Sequence, residues 1–138
     1  MLRVDIISEA EQEILELLEA DAEQGSRLVA VIEELTDSYD IDDLTEQGYY
    51  FEDFNVDCFW HMQNEHQRNV WRLKIFGIDN DGSDFTLNHR VIYAPDRLRN
   101  TVHVLGIMER NLDYENDKDF IEKIKIRYDR LGLPSLPK

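Results

Sequence analysis

The sequence predicts a single α+β domain over residues 1–138, since a chain of 138 residues suits one domain rather than two. Apolar residues recur at helical spacing in the first third of the chain and again near the C-terminus. Between these regions, short β-rich runs alternate with turn residues. The predicted order is an N-terminal strand, an αα-hairpin, a twisted antiparallel sheet of about four strands and a C-terminal helix.

The N-terminal third is predicted to be one strand and two helices. The run "LRVDIIS" alternates and is rich in β-formers, which indicates a strand. Ser8 and Glu11 match a capping box at the start of the first helix. Apolar stripes at helical spacing then continue to Leu35, and the region from Asp21 to Gly25 is the expected break between the two helices.

Residues 37–57 are predicted to form an acidic, aromatic connection. Acidic residues alternate there with tyrosines and phenylalanines without a clear period, and a short helix is expected around Asp42 to Gln47. Long ordered connections in small domains are usually functional or mobile. The role of this segment is therefore an open question at the level of sequence.

From "FNVDCFWHM" onward the chain is predicted to form three or four strands and a last helix. Asp81-Gly82 is a hairpin signal, and "APDRLRN" is expected to join the final two strands. Gly132 is expected to end the C-terminal helix. The apolar face of that helix is predicted to contain Phe120, Ile121, Ile124 and Tyr128.

The chain is expected to be cytoplasmic, with no membrane partner. Its one cysteine, Cys58, excludes an internal disulfide and suits a reducing compartment. No apolar run approaches the ~18 residues of a membrane helix. The N-terminal residues "MLRVDIISEAEQE" lack the basic start and the apolar core of a signal peptide.

No metal or other cofactor is predicted. The calcium-like loop "GIDNDGSD" fails at its first and last ligand positions. Cys58, His61 and His66 have spacings that a zinc site uses, but the remaining histidines, His89 and His103, lie in separate predicted strands. Cys58 is expected to be half-buried rather than a nucleophile.

Three successive strand-like runs carry cations beside their apolar residues. Because side chains alternate across a sheet, Arg72, Lys74 and Arg90 are predicted to share one open face. Arg110 and Tyr114 come at the exit of the last strand and are expected to curl over that face. The residues expected to face the helices instead are Trp71, Leu73, Val91 and Tyr93. The simplest interpretation is a set of solvated surface cations.

The order of these elements and motifs resembles the RelE/ParE toxin superfamily of bacterial toxin–antitoxin systems. The runs "VWRLKI", "HRVIYA" and "VHVLGIMERNLDY" are similar to the family's three sheet strands. They carry a pair of alternate basic residues, an arginine before an apolar run, and an arginine followed four positions later by tyrosine. The resemblance covers most of the chain and implies a RelE-like fold.

The resemblance implies a type II toxin, either an endoribonuclease that acts on mRNA at the ribosome or an inhibitor of DNA gyrase. Arg72 and Lys74 match the family's basic pair, with Lys74 as the base for the 2′-hydroxyl. Arg90 would hold the phosphate in a bidentate manner, and Arg110 would assist it. Tyr114 would stack on a base or hydrogen-bond near the phosphate. Such cleavage needs no metal, and a cognate antitoxin is the expected partner.

Two features differ from the family's pattern. Toxins of this family are typically basic, whereas this chain has a net charge of -15. The connection after the hairpin and the "GIDNDGSDFTLNH" turn are also longer. Three hypotheses follow: an RNA-cleaving toxin-like protein, a non-enzymatic relative that acts through protein contacts, and a degenerate member with another, structural role.

The acidic charge is concentrated in one half of the chain. Residues 1–66 hold two cations against 19 carboxylates, and residues 67–138 hold 13 cations against 11. An acidic half serves solubility, but it also offers a cover for cations elsewhere. We hypothesise that part of residues 37–57 lies close to the cationic face and screens it, within one chain or across a homodimer.

Overall fold

A six-stranded sheet with helices on both faces organises the chain, as seen in a computed structural model that describes residues 1–78 and 81–137. In chain order the helices and strands are β1 (Arg3–Ile6), α1 (Ser8–Ala20), α2 (Ala22–Ser38), β2 (Phe54–Cys58), α3 (Trp60–Glu65), β3 (Trp71–Ile78), β4 (Asp84–Thr86), β5 (His89–Asp96), β6 (Thr101–Glu109) and α4 (Lys118–Arg130). Two short 3₁₀ helices cover Asp43–Thr45 and Arg97–Arg99. The predicted α+β class is confirmed.

The sheet differs from the predicted one in strand number and in one direction. Its order is β1-β6-β5-β3-β2, and β4 pairs with the far end of β3, so six strands replace the expected four. β1 runs parallel to β6, with Val4 opposite Val102, while the other pairs are antiparallel. The αα-hairpin returns the chain across the sheet, which lets the first strand pair with the last one in the same direction.

The αα-hairpin forms where it was predicted, with a break of one residue. Asp21 ends α1, and its side chain accepts a hydrogen bond from the backbone N–H of Gln24 in the first turn of α2. The predicted capping box is wrong, because Ser8 is already helical and its hydroxyl donates to Glu9. Ile7 therefore stands at the N-cap position, without a side-chain cap.

Two apolar cores lie on opposite faces of the sheet. The first core fills the space under α1 and α2, and it includes Leu28 and Leu35 with Val91 and Tyr93. The second core lies under α3 and α4. Helix α3 was not predicted; its buried residue is Met62. Both faces of the sheet centre are thus removed from water, which is the main source of stability in a domain of this kind.

The C-terminal helix matches its prediction. Asp117 caps α4 by accepting from the backbone N–H of Phe120, and Gly132 follows the helix with φ +71. The four residues predicted for its apolar face, Phe120, Ile121, Ile124 and Tyr128, are all buried. Arg127 donates to both carboxylate oxygens of Glu13 at 3.1 and 3.0 Å, which ties α4 to α1 across the end of the sheet.

The acidic connection is anchored in the first core rather than free. Leu44, in the first 3₁₀ helix, is fully buried, and its carbonyl accepts a hydrogen bond of 2.6 Å from the Tyr93 hydroxyl. The predicted short helix around residues 42–47 is thus a single 3₁₀ turn.

The hairpin turn at Asp81-Gly82 links β3 to β4, with φ +85 at Gly82. The two residues before it, Asp79 and Asn80, lie outside the described residues. Within the described residues, no helix combines the length and the apolar character needed to span a membrane.

Replacing Tyr93 with Phe should lower the free energy of unfolding by about 1–2 kcal/mol, because the buried Leu44 carbonyl loses its donor. The measurement is urea unfolding followed by circular dichroism. Tyr50→Phe is the matched control, because Tyr50 is 71% exposed and should change stability by less than about 0.5 kcal/mol. Equal effects of the two changes would contradict this role for Tyr93.

Candidate functional site

The predicted phasing of β3 and β5 is found in the structure. Leu73, Val91 and Tyr93 belong to the core beneath the αα-hairpin, and Trp71 packs against the same core. Arg72 lies opposite Ile92 in the ladder, and Ile92 belongs to the second core. Directly paired residues share a face, so Arg72 points away from the αα-hairpin.

Arg90 lies on the same face as Arg72. It stands opposite Met108 in the β5–β6 ladder, and Met108 is buried in the second core. This face was predicted to be open, and that prediction is wrong, because α3 and α4 cover much of it. The cations therefore lie beside a second apolar core rather than on a free sheet surface.

Arg72 is held by one carboxylate and two rings. Its Nη2 donates to Oδ2 of Asp57 on β2 at 2.5 Å. Its Cζ lies 5.0 Å from the centre of the Phe59 ring and 5.8 Å from that of Tyr114, distances that allow cation–π attraction. The Arg72 side chain is only 11% exposed, so this guanidinium is already bound within the chain.

Arg90 has the opposite character. It is half-buried, yet no hydrogen bond or ion pair joins its side chain to another residue among those described, and its Nε–H, like that of Arg72, is buried without a partner there. Burial and the neighbouring Arg72 and Arg110 guanidiniums lower the pKa of Arg90, although an arginine stays protonated near neutral pH. Arg90 is thus a half-buried cation whose side chain forms no ion pair among the described residues, although the nearby Asp57 carboxylate partly offsets the two guanidiniums.

Arg110 and Tyr114 lie at the rim of the same face, as predicted. Arg110 follows the last residue of β6, is exposed, and donates its backbone N–H to the Asn88 carbonyl at 2.7 Å. Tyr114 lies in the loop before α4, where its ring meets that of Phe59 edge-on at 4.9 Å. Three arginines and a phenol thus surround one part of the sheet.

Lys74 lies two residues from Arg72 on β3 and therefore on the same face. Its backbone pairs with Asn55 on β2, and the β3–β5 ladder ends at the preceding residue, Leu73, which faces Val91. Lys74 is half-buried. Its assignment as a base stays a prediction.

The acidic connection does not screen these cations, with one exception. Its acids contact groups elsewhere: Asp42 pairs with Arg97 at 2.6 Å, and Asp53 pairs with Arg27 at 2.7 Å. Arg97 follows the end of β5 that is distant from Arg90. The exception is Asp57, which belongs to β2. The hypothesis that residues 37–57 cover the cationic face is therefore corrected to a single contact between Asp57 and Arg72.

Cys58 and the four histidines do not form one cluster. Burial and the Asp57 carboxylate raise the pKa of the Cys58 thiol, so Cys58 is a poor nucleophile at neutral pH. His89 lies near the start of β5 and pairs with Glu109 of β6. His103 lies on β6 and pairs with Ala94 near the other end of β5, so the two histidines are apart. His61 and His66 do meet, with their Nε2 atoms 3.3 Å apart, and burial lowers the pKa of His66.

Comparisons of the chain with known protein families, with curated proteins and with solved structures found no match. The resemblance to the toxin superfamily therefore stays a prediction.

The arrangement of Arg72, Arg90, Arg110 and Tyr114 can bind an anion with an attached planar group. Arg90 supplies a desolvated charge and planar donors, which suit a phosphate or a carboxylate. Tyr114 supplies a ring at the rim for stacking. Sequence reasoning included Asp57 among the screening acids of residues 37–57 without singling it out as the partner of Arg72, and it missed Phe59. Asp57 was detectable, because it alternates with the buried Phe54 and Val56 in "FNVDC", and therefore faces the cations.

Replacing Asp57 with Asn should destabilise the fold by about 1–3 kcal/mol, because the largely buried Arg72 would lose its counter-ion. The check is urea unfolding. Asp42→Asn is the matched control, since the Asp42–Arg97 pair has similar geometry but exposed side chains, 79% and 58% exposed. That change should cost less than about 1 kcal/mol. A smaller effect at Asp57 than at Asp42 would refute the account of Arg72.

Proposed function

We propose that this chain is a toxin-like protein of a type II toxin–antitoxin system and acts as a metal-independent endoribonuclease on mRNA. The observation that carries the proposal is Arg90, a half-buried guanidinium with no partner among the described residues. It lies beside Arg72, Arg110 and Tyr114, the set that the resemblance assigns to catalysis. A cognate antitoxin is the partner that this proposal requires.

The residues divide the chemistry of RNA cleavage among them. Cleavage by the 2′-hydroxyl needs a base, stabilisation of charge on the phosphorane, and an acid for the leaving oxygen. Arg90 binds the scissile phosphate, and Arg110 stabilises the added charge. Lys74 accepts the proton from the 2′-hydroxyl, and the leaving 5′-oxygen takes its proton from solvent water. Tyr114 stacks on an adjacent base. Arg72, which is paired with Asp57, positions the Tyr114 ring. The positive charge of Arg72 repels that of Arg90 toward the substrate.

A second candidate is a non-enzymatic protein that acts through protein contacts, as the resemblance to gyrase inhibitors of the RelE/ParE superfamily implies. Two observations favour it. The net charge of -15 opposes binding to ribosomal RNA, and one of the predicted catalytic cations, Arg72, is already neutralised by Asp57. In this alternative the arginines bind an acidic surface of a protein target.

Arg90→Ala should abolish growth arrest when the gene is induced in bacteria, and should reduce RNA cleavage by the purified protein about 10²–10³-fold. The purified protein is stripped of metal with EDTA, and the EDTA is removed before ribosomes are added, because the proposed cleavage uses no metal of its own whereas ribosomes need Mg²⁺ to stay assembled. Arg97→Ala is the matched control: Arg97 is an exposed arginine at the other end of β5, so activity should be retained.

The same assays separate the two candidates. Growth arrest that needs Arg90, without RNA cleavage in any condition, would replace the ribonuclease with the protein-contact function. Growth arrest unchanged in Arg90→Ala, with the variant folded by circular dichroism, would overturn both roles for this residue. Co-expression of a neighbouring small acidic gene product should suppress the arrest if that product is the antitoxin.

A further inference from the structure

The C-terminal end of α3 brings two imidazoles together. His61 lies in the first turn of α3, and His66 follows its last residue. The next residue, Gln67, has φ 55, a left-handed conformation that turns the chain back. As a result the two Nε2 atoms lie 3.3 Å apart, with ring centres 5.0 Å apart and planes at 67°.

This separation matches the ligand spacing of a tetrahedral metal ion. With Zn–N bonds of about 2.0–2.1 Å, the edge of the tetrahedron is about 3.3–3.4 Å long. The Nε2 atoms of His61 and His66 already stand at that distance. A single Nε2–H···Nε2 hydrogen bond gives a similar distance. A metal site and a hydrogen bond are distinguished by adding zinc, because only the metal site binds the ion.

The two rings border a cavity of about 400 Å³ that also contains carboxylates. Glu122 of α4, Glu115 of the loop before it and the exposed Glu65 at the end of α3 line the cavity beside His61 and His66. The cavity lining also includes the cation Lys118. Among the described residues, Glu122 is held only by a pair with Lys125 at 3.5 Å. Its side chain is 63% exposed, so its release costs little. It also stands on a long helix packed in the second core, which makes it the better-positioned third ligand.

We propose that His61 and His66 bind a zinc-like divalent ion through their Nε2 atoms, with Glu122 as the third protein ligand and water as the fourth. Within residues 1–78 and 81–137, no three histidine, cysteine or acidic side chains are already arranged around one point, so Glu122 must rotate to reach the ion. The ion would join α3 to α4 next to Tyr114, whose ring lies 5.6 Å from that of His61.

This site is independent of the proposed function. Neither histidine belongs to the cationic set, and the proposed RNA cleavage needs no metal. The expected consequence is structural: an ion that binds only the folded chain raises its melting temperature in proportion to the logarithm of its concentration.

The test is a calorimetric titration of the untagged full chain with Zn²⁺, accompanied by thermal unfolding at several zinc concentrations. The parent should bind one ion, and Co²⁺ should give the intense visible absorption of a tetrahedral site. His66→Gln should weaken binding by more than about 10-fold, since even outer partners of metal ligands contribute about 10–100-fold. Glu122→Gln should weaken binding by a smaller factor.

Two matched controls belong to the experiment. His89→Gln removes a histidine on β5, and Glu115→Gln removes a carboxylate that lines the same cavity; both variants should bind zinc as the parent does. Circular dichroism confirms that each variant is folded, and His61→Asn provides a second test if His66→Gln is not.

Three results would overturn the proposal or part of it. No saturable zinc binding by the parent would show that the histidines share only a hydrogen bond. Binding unchanged in folded His66→Gln and His61→Asn would place the ion elsewhere. Binding unchanged in Glu122→Gln alone would remove Glu122 as the third ligand.

Discussion

Burial of β5 on both faces is the constraint on which the rest of the structure depends. The four consecutive residues Val91, Ile92, Tyr93 and Ala94 are each at most 1% exposed, and successive side chains point to opposite faces. One layer of helices cannot cover such a strand, so the chain must supply α1 and α2 on one side and α3 and α4 on the other. On β5 itself, charged residues are then confined to the ends of the strand, which is where Arg90 lies.

Arg72 on β3 and Arg90 on β5 have different surroundings and therefore different roles. Arg72 lies inside the sheet, between β2 and β5, and the fold gives it a carboxylate from the neighbouring strand and two aromatic rings. Arg90 lies one position before the buried run, where β5 meets the end of β6, and receives no such partner among the described residues. A half-buried charge without a hydrogen-bond partner lowers stability, and a bound anion would supply the missing partner.

Local patterns in the sequence predicted the parts of the fold that depend on local interactions. The helical stripes of α1, α2 and α4, and the face shared by Arg72 and Arg90, follow from side-chain periodicity alone. The parallel pairing of β1 with β6 involves residues about 100 positions apart and leaves no local signal. Helix α3 has six residues, too few to show a period. The open face was predicted because β5 was treated as an alternating strand, although four consecutive apolar residues are typical of strands buried on both sides.

The distribution of acidic residues limits the kinds of anionic ligand that the cationic site can bind. Among the acids of residues 37–57, Asp42 and Asp53 pair with Arg97 and Arg27 rather than with Arg90 or Arg110, and the segment adds to the overall negative potential. Basic nucleic-acid-binding proteins attract polyanions, whereas a chain with net charge -15 repels them once they come within about a Debye length, ~8–10 Å, because salt screens the interaction at larger distances. A target must therefore bring contacts of its own, through a base that stacks on Tyr114 or a protein surface that docks beside it. The site thus favours recognition of one positioned anion over capture of a long polyanion, because its few cations act only at short range.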